Sequence, residues 1–387
     1  MFIDLTPAQH RLRLQVRDYF SALMTPPLRA KLRGSEGGDD FRRIIRKMGA
    51  DGWLAVGWPK EYGGQGCTAT EQLIFFEEAN IAGAPLPFVT INTVGPALMA
   101  NGSAAQKAKI LPGIAAGETL FAIGYSEASA GSDLAVLKTT ARREGDHFVV
   151  NGSKLWTSAA ESADYIWLAA RTDPTLPRHR GISILILDTK AAGFSYTLIH
   201  TVGTDTAATF YDEVKVPADM LVGELNGGWK LITSQLNHER LGLGSWSDKV
   251  FGPYRRVYLW ARSADANGRR AIDQPWVRST LAECYAKIES MRLINFRIAA
   301  GLEAGNMDVA LASATKVYGS ELVLDVYRRL IEVVGASALV RDAGAATLLG
   351  DLEFEARAAP INTFGGGVNE IQRELIAQFG LNMPRCR

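Results

Sequence analysis

From Thr6 to about residue 118, apolar residues recur every three or four positions. Leu12, Val16, Phe20 and Leu23 form the first such stripe, and Thr6-Pro7 supplies a cap and a first helical residue. The spacing predicts helices here, separated by turns at Gly57-Trp58-Pro59 and Tyr62-Gly63-Gly64. From Phe121 to about Val222 the pattern changes to short apolar runs. His147 to Val150, Tyr165 to Ala170, Ile182 to Leu187, Phe194 to Ile199 and Ala207 to Val216 read as strands, and Asn151-Gly152 as a tight turn. From Gly227 to Phe379 the helical period returns, broken near Asn267-Gly268, Gly305-Asn306 and Gly365-Gly366-Gly367. The pattern predicts an N-terminal helical domain over residues 1–120, a middle β domain or barrel over 121–226 and a C-terminal helical domain over 227–387. The class is α+β, with no internal repeat and no low-complexity segment.

Composition narrows the function. A chain of 387 residues is long enough for two or three sizeable cores, and 47% hydrophobic with 21% charged residues is the balance of a soluble enzyme. A formal net charge of +1 makes no electrostatic case for nucleic acid or an anionic membrane. Cys67, Cys284 and Cys386 have no ligand-like spacing, so neither a zinc site nor a disulfide framework is expected, and a reducing cytoplasm is. The first residues lack a signal-peptide pattern, and no apolar run is long enough for a membrane span.

Two Gly/Ser-rich segments carry candidate binding chemistry: Phe121 to Asp133, containing Tyr125-Ser126-Glu127-Ala128-Ser129-Ala130-Gly131-Ser132, and Asn151 to Ser158, containing Lys154-Leu155-Trp156-Thr157-Ser158. Alone, either is a small-residue strand end. A third candidate lies further on. Trp229, Ile232, Leu236, Glu239 and Leu243 fall on one helical stripe. A glutamate on an apolar stripe is not a solvated charge, and desolvation would raise its pKa toward that of a general base. The alternative is a buried ion pair, but neighbouring residues on a helix do not face each other, so Arg240 is a poor partner. His238 is one residue off the stripe and suits an accessory hydrogen-bonding role.

In order and spacing the two segments resemble the flavin-holding segments of the acyl-CoA dehydrogenase family. Trp58-Pro59-Lys60-Glu61-Tyr62-Gly63-Gly64 and Gly367-Val368-Asn369-Glu370-Ile371-Gln372-Arg373 also match, so the resemblance covers nearly the whole chain. It implies that family's fold, with a middle β-barrel domain and a C-terminal four-helix bundle. FAD is the implied cofactor, an acyl-CoA thioester the substrate and an electron-transfer flavoprotein the acceptor. Tyr125 and Ser126 would meet the flavin edge, Trp156 its face and Ser132 the pyrophosphate, with Glu127, Thr157, Ser158 and Asn369 completing the cofactor side.

Two departures matter. Where most of the family has its base just before the Gly-Thr-Asn-Glu-like run, this chain has Gly366, which cannot move a proton but can donate its N–H to the thioester carbonyl. A minority of the family places the base on a helix before an arginine, which here is Glu239-Arg240, with Arg240 against coenzyme A. The segments with which a neighbouring subunit completes each flavin site in family homotetramers also depart. They read Asn267-Gly268-Arg269-Arg270-Ala271-Ile272-Asp273 and Glu332-Val333-Val334-Gly335, and Glu332 would set a negative charge against a pyrophosphate. Ala128 and Val368 replace the usual proline and threonine. A narrower resemblance fits these departures: the α subunits of actinobacterial α2β2 acyl-CoA dehydrogenases for steroid side chains, with a divergent β subunit as partner. Three readings stand at this point: a catalytic FAD subunit, a structural subunit whose partner does the chemistry, and a flavoenzyme of this fold with another substrate.

Overall fold

The computed structural model describes residues 4–34, 37–233, 235, 246–306, 308–340 and 348–384. Its helices are α1 (Pro7–Leu23), α2 (Pro26–Leu32), α3 (Gly38–Ala50), α4 (Ala69–Ala82), α5 (Gly95–Asn101), α6 (Ala104–Ala115), α7 (Trp246–Arg262), α8 (Pro275–Glu303), α9 (Val309–Val334), α10 (Leu348–Ala358) and α11 (Asn369–Leu375). The strands are β1 (Phe121–Gly124), β2 (Thr140–Glu144), β3 (His147–Lys154), β4 (Tyr165–Arg171), β5 (Ile182–Asp188), β6 (Phe194–Ile199), β7 (Thr206–Pro217) and β8 (Leu221–Val222). Local signals account for many of these. Thr6 and Gln9 form a capping box at α1, with Thr6 Oγ1 accepting from the Gln9 N–H and Gln9 Oε1 accepting from the Thr6 N–H. Val16 and Phe20 bury the stripe that follows.

The described chain forms two compact units. One contains α1, α2, α4 and the helices from α7 onward; the other contains α3, α5, α6 and all the strands. The helices of the first 120 residues are therefore shared between the two. In the first unit, charge explains where α1 and α4 belong. Glu77 and Glu78 on α4 are almost fully buried. Arg17 of α1 grips Glu78 with two of its nitrogens, at 2.9 and 2.7 Å, Arg13 of α1 bonds Glu77, and Arg292 of α8 reaches Glu77 at 3.5 Å. Buried carboxylates need such partners, so these arginines tie α1 and α4 to the long helices. The core of this unit is built from the inner faces of α7, α8 and α9, including Val257, Cys284, Ile288, Met291, Val326 and Leu330.

In the second unit the strands form one mixed sheet, ordered β6-β7-β3-β2-β4-β5-β8, with β1 added in parallel to β4. β4 and β5 read as continuous apolar runs because both of their faces are buried. The expected tight turn at Asn151-Gly152 is not one. β3 runs straight through both residues, and its register against β7 shifts between Val150 and Gly152. Gly152 has φ +143°, and a Cβ there would lie 2.7 Å from Thr139, so this is a β-bulge that only glycine fits. Asn151 secures it by accepting the Glu213 N–H at 2.9 Å. The turn between β2 and β3 sits instead at Gly145, φ +60°.

Candidate functional site

Within the sheet unit, the structure joins the two Gly/Ser-rich segments. The Leu155 N–H donates to the Ser126 carbonyl at 2.9 Å, so the chain leaving β3 lies beside the chain leaving β1. Lys154 reinforces the junction from below. Its side chain is wholly buried, and its Nζ donates to the Tyr125 carbonyl at 3.0 Å and to Glu127 Oε1 at 2.8 Å. Glu127 also accepts from the backbone N–H groups of Lys138, at 2.6 Å, and Thr139, at 2.9 Å. Burial alone would raise the Glu127 carboxyl, but the Lys154 ammonium and these hydrogen bonds outweigh it and hold the group below the usual carboxylate range. The Glu127 carboxylate thus faces the protein and holds the loop in shape.

Trp156 stands out in this junction. It has φ +63°, a conformation that bulky side chains avoid, and its side chain is 60% exposed. An aromatic ring held out at a strained position is what a stacking wall for a flat ligand requires. Ala159, φ +61°, continues the strain, and a cavity of about 140 Å³ opens alongside, lined by Ala159, Ala160, Glu161 and Thr206 among others. Thr157 is buried: its N–H donates to the Ala207 carbonyl at 2.9 Å, and its hydroxyl meets Thr209 at 3.4 Å. Ser158 is exposed and donates to Thr206 at 3.2 Å. Ser132 is exposed in the loop after β1, and Ser126 is half-buried.

Tyr125 exposes a participant that sequence reasoning left inside a longer run. Its hydroxyl donates to Gln235 Oε1 at 2.5 Å, and the Trp167 indole N–H lies 3.1 Å from the Tyr125 oxygen and 3.2 Å from Gln235 Oε1. Gln235 is 3% exposed, and its Nε2 has no partner among the described residues. A buried donor left open costs free energy unless something accepts from it. Gln235 lies at helical spacing from Glu239 in sequence, the one signal that could have singled it out. An open amide beside a phenol, together with a strained exposed indole, fits the polar edge and flat face of a flavin.

The other unit holds Gly366 and Asn369. Gly366 is exposed with φ +68°, and a Cβ there would meet nothing within 4 Å, so the position is open where much of the family carries a carboxylate. Asn369 is buried, and its side chain is taken up by Lys316, Ser320 and Glu321. Glu239 and Arg240 lie outside the described residues. No group of His, Cys, Asp or Glu among the described residues could hold a metal ion, and no described helix is long and apolar enough to cross a membrane.

The Lys154–Glu127 pair yields a direct stability test. Lys154→Met strands a buried carboxylate and is expected to lower unfolding stability by about 3 kcal/mol, with Glu127→Gln in the same chain recovering part of it. Desolvation pulls the Lys154 ammonium down to about 8, against the pull of Glu127. The unfolded chain therefore binds more protons than the folded one between about pH 8 and the ordinary lysine value of 10.5. The lead of the unsubstituted protein over Lys154→Met should widen across that window in denaturant titrations, and a constant difference would show that Lys154 keeps its ordinary proton affinity in the fold.

The family models for the N-terminal, middle and C-terminal domains of acyl-CoA dehydrogenase match residues 6–118, 122–214 and 226–381. Acyl-CoA dehydrogenases FadE26 and FadE29 of Mycobacterium tuberculosis are similar at 51% identity over 400 residues and 49% over 387, covering 100% of this chain and 100% and 99% of theirs. Among solved structures, the Tcur3481-Tcur3483 steroid ACAD matches with TM-score 0.95 and 48% identity, and the ChsE4-ChsE5 complex from Mycobacterium tuberculosis with 0.93 and 52%, each over 100% of both chains. Three consecutive domain models and full-length relatives at about half identity leave one conclusion: the chain belongs to the acyl-CoA dehydrogenase family.

Proposed function

We propose that this chain is the base-supplying α subunit of a heteromeric, FAD-dependent acyl-CoA dehydrogenase that introduces an α,β double bond into a steroid side-chain thioester of coenzyme A. The observation that carries the reading is the full-length likeness, at about half identity, to a chain of a structure named as a steroid ACAD and to a chain of the ChsE4-ChsE5 complex. Glu239 removes the α proton, and Arg240 holds part of coenzyme A. The Gly366 N–H donates to the thioester carbonyl oxygen and stabilises the negative charge that grows there as the proton leaves. Bound FAD supplies the acceptor for the hydride from the β carbon, and reoxidation falls to an electron-transfer flavoprotein. Trp156 walls the flavin face, Tyr125 and Ser126 meet its edge, Ser132 its pyrophosphate, and Thr157 and Ser158 hold the strand exit on which Trp156 sits. Glu127 and Asn369 serve this site by holding loops, since their side chains are engaged within the protein.

The test is product mass. The chain co-purified with its partner, given a steroid side-chain acyl-CoA and an artificial electron acceptor, should yield a thioester lighter by two hydrogens. Conversion of straight-chain thioesters with no change to the steroid thioester would overturn the substrate assignment. The cofactor side has its own check. Trp156→Ala is expected to release FAD on gel filtration and to shift the absorbance of whatever remains. Unchanged occupancy and spectrum would make Trp156 a residue without a flavin contact.

A further inference from the structure

The loop that carries Gly366 has little packing of its own. Gly366 and Gly367 both have positive φ, +68° and +102°, and Phe364 beside them is 56% exposed. Three consecutive glycines give such a segment many conformations at little steric cost. A single buried cation brackets it. Lys316 on α9 is 2% exposed. Its Nζ donates to the Asn362 carbonyl at 2.9 Å, before the loop, and to Asn369 Oδ1 at 2.9 Å, after it. Asn369 is tied to the same helix again, its Nδ2 donating to Ser320 Oγ at 3.0 Å and to Glu321 Oε1 at 3.3 Å. Desolvation pulls the Lys316 ammonium down to about 8, and Glu370 and Glu321 oppose that pull.

We propose that Lys316 is a positioning residue for the substrate carbonyl: by clamping Asn362 and Asn369, it fixes where the backbone N–H of Gly366 points. The inference rests on the reading above that this N–H binds the thioester oxygen. Lys316 touches no substrate and acts only through the loop. A reacting group misplaced by about 1 Å can lose on the order of a hundredfold in rate, so a loose glycine loop would bind and activate the carbonyl poorly even with the base and flavin intact.

The experiment compares two non-reacting ligands on the co-purified complex: an acyl-CoA thioester whose α carbon bears no hydrogen, and the matching CoA thioether, which lacks the carbonyl oxygen. The unsubstituted complex should prefer the thioester. Lys316→Met should lower thioester affinity about fivefold, the scale of one hydrogen bond, while thioether affinity stays within about twofold. Flavin content should be unchanged, and kcat should fall about ten- to a hundredfold. If the unsubstituted complex shows no preference, Gly366 does not hold the carbonyl and the premise falls. If it does prefer the thioester and Lys316→Met keeps both preference and kcat, or weakens both ligands alike, the positioning role is overturned while the Gly366 reading stands. Should Lys316→Met fail to fold, Ser320→Ala loosens Asn369 without removing the cation. It should reduce the preference in the same direction by a smaller factor, and an unaltered preference there also overturns the role.

Discussion

Glu239→Gln is expected to leave flavin bound and to lower turnover at saturating substrate by at least about a hundredfold, or about 2.7 kcal/mol of transition-state stabilisation. Glutamine keeps the size and hydrogen-bonding reach of glutamate but cannot take a proton, so the loss isolates basicity. The loop position that carries the base in most of the family is Gly366, open and exposed, so it supplies no proton acceptor. Of the predicted stripe, the described residues include Trp229, half-buried, and Ile232, buried. Continuing that spacing in sequence leads to Glu239. Retention of near-normal turnover by the variant would return the base to the partner subunit, and with it the reading of this chain as a structural subunit. The exchange Glu239→Gly with Gly366→Glu is a sharper comparison. There is room for a side chain at 366, but φ +68° costs an ordinary residue about 1–2 kcal/mol, so any rescue on straight-chain substrates should be partial.

Expressed without a partner, the chain is expected to be flavin-poor and inactive. Co-expressed with a divergent β subunit, it should elute as a yellow tetramer with about half as many flavins as chains, as two complete interfaces in an α2β2 assembly require. In the segments that depart from the family's interface pattern, the arginines pair within the chain. Arg270 binds Asp273 with two nitrogens, at 3.0 and 2.7 Å, and Arg269 lies 3.4 Å from Asp265. Glu332 is bonded by Arg328 at 2.7 Å, which softens its charge but turns that arginine toward it and toward Asp325. A chain so arranged offers a partner's flavin few free charge-assisted donors. Leu259, Trp260, Trp276, Tyr285 and Leu293 on α7 and α8 are each 39–51% exposed. A homotetramer of this chain alone, with one FAD per chain and full activity, would refute the assembly.

Local chemistry determined much of this protein by itself. The change of period at Phe121 and again near Gly227 separated helices from strands, because helix and strand present side chains at different repeats whatever surrounds them. Thr6-Pro7, Tyr165 to Ala170 and Ile182 to Leu187 were legible for the same reason, each carrying its signal within a few residues. The juxtaposition of the two Gly/Ser-rich segments had to come from the fold, since it depends on Leu155 meeting Ser126 across the ends of two strands. Tertiary structure alone decided which charged and polar side chains turn inward. Lys154 lies beneath Glu127, and Lys316 and Ser320 hold the Asn369 side chain, pairings that no local pattern shows. Asn151-Gly152 carried a turn signal, yet pairing with β7 made it a bulge. Glu77 and Glu78 drew α1 and α4 to the long helices through arginines distant in sequence. These outcomes rest on partners many residues away, and a buried charge must be paired wherever the fold can bring its partner, a constraint that no local pattern records.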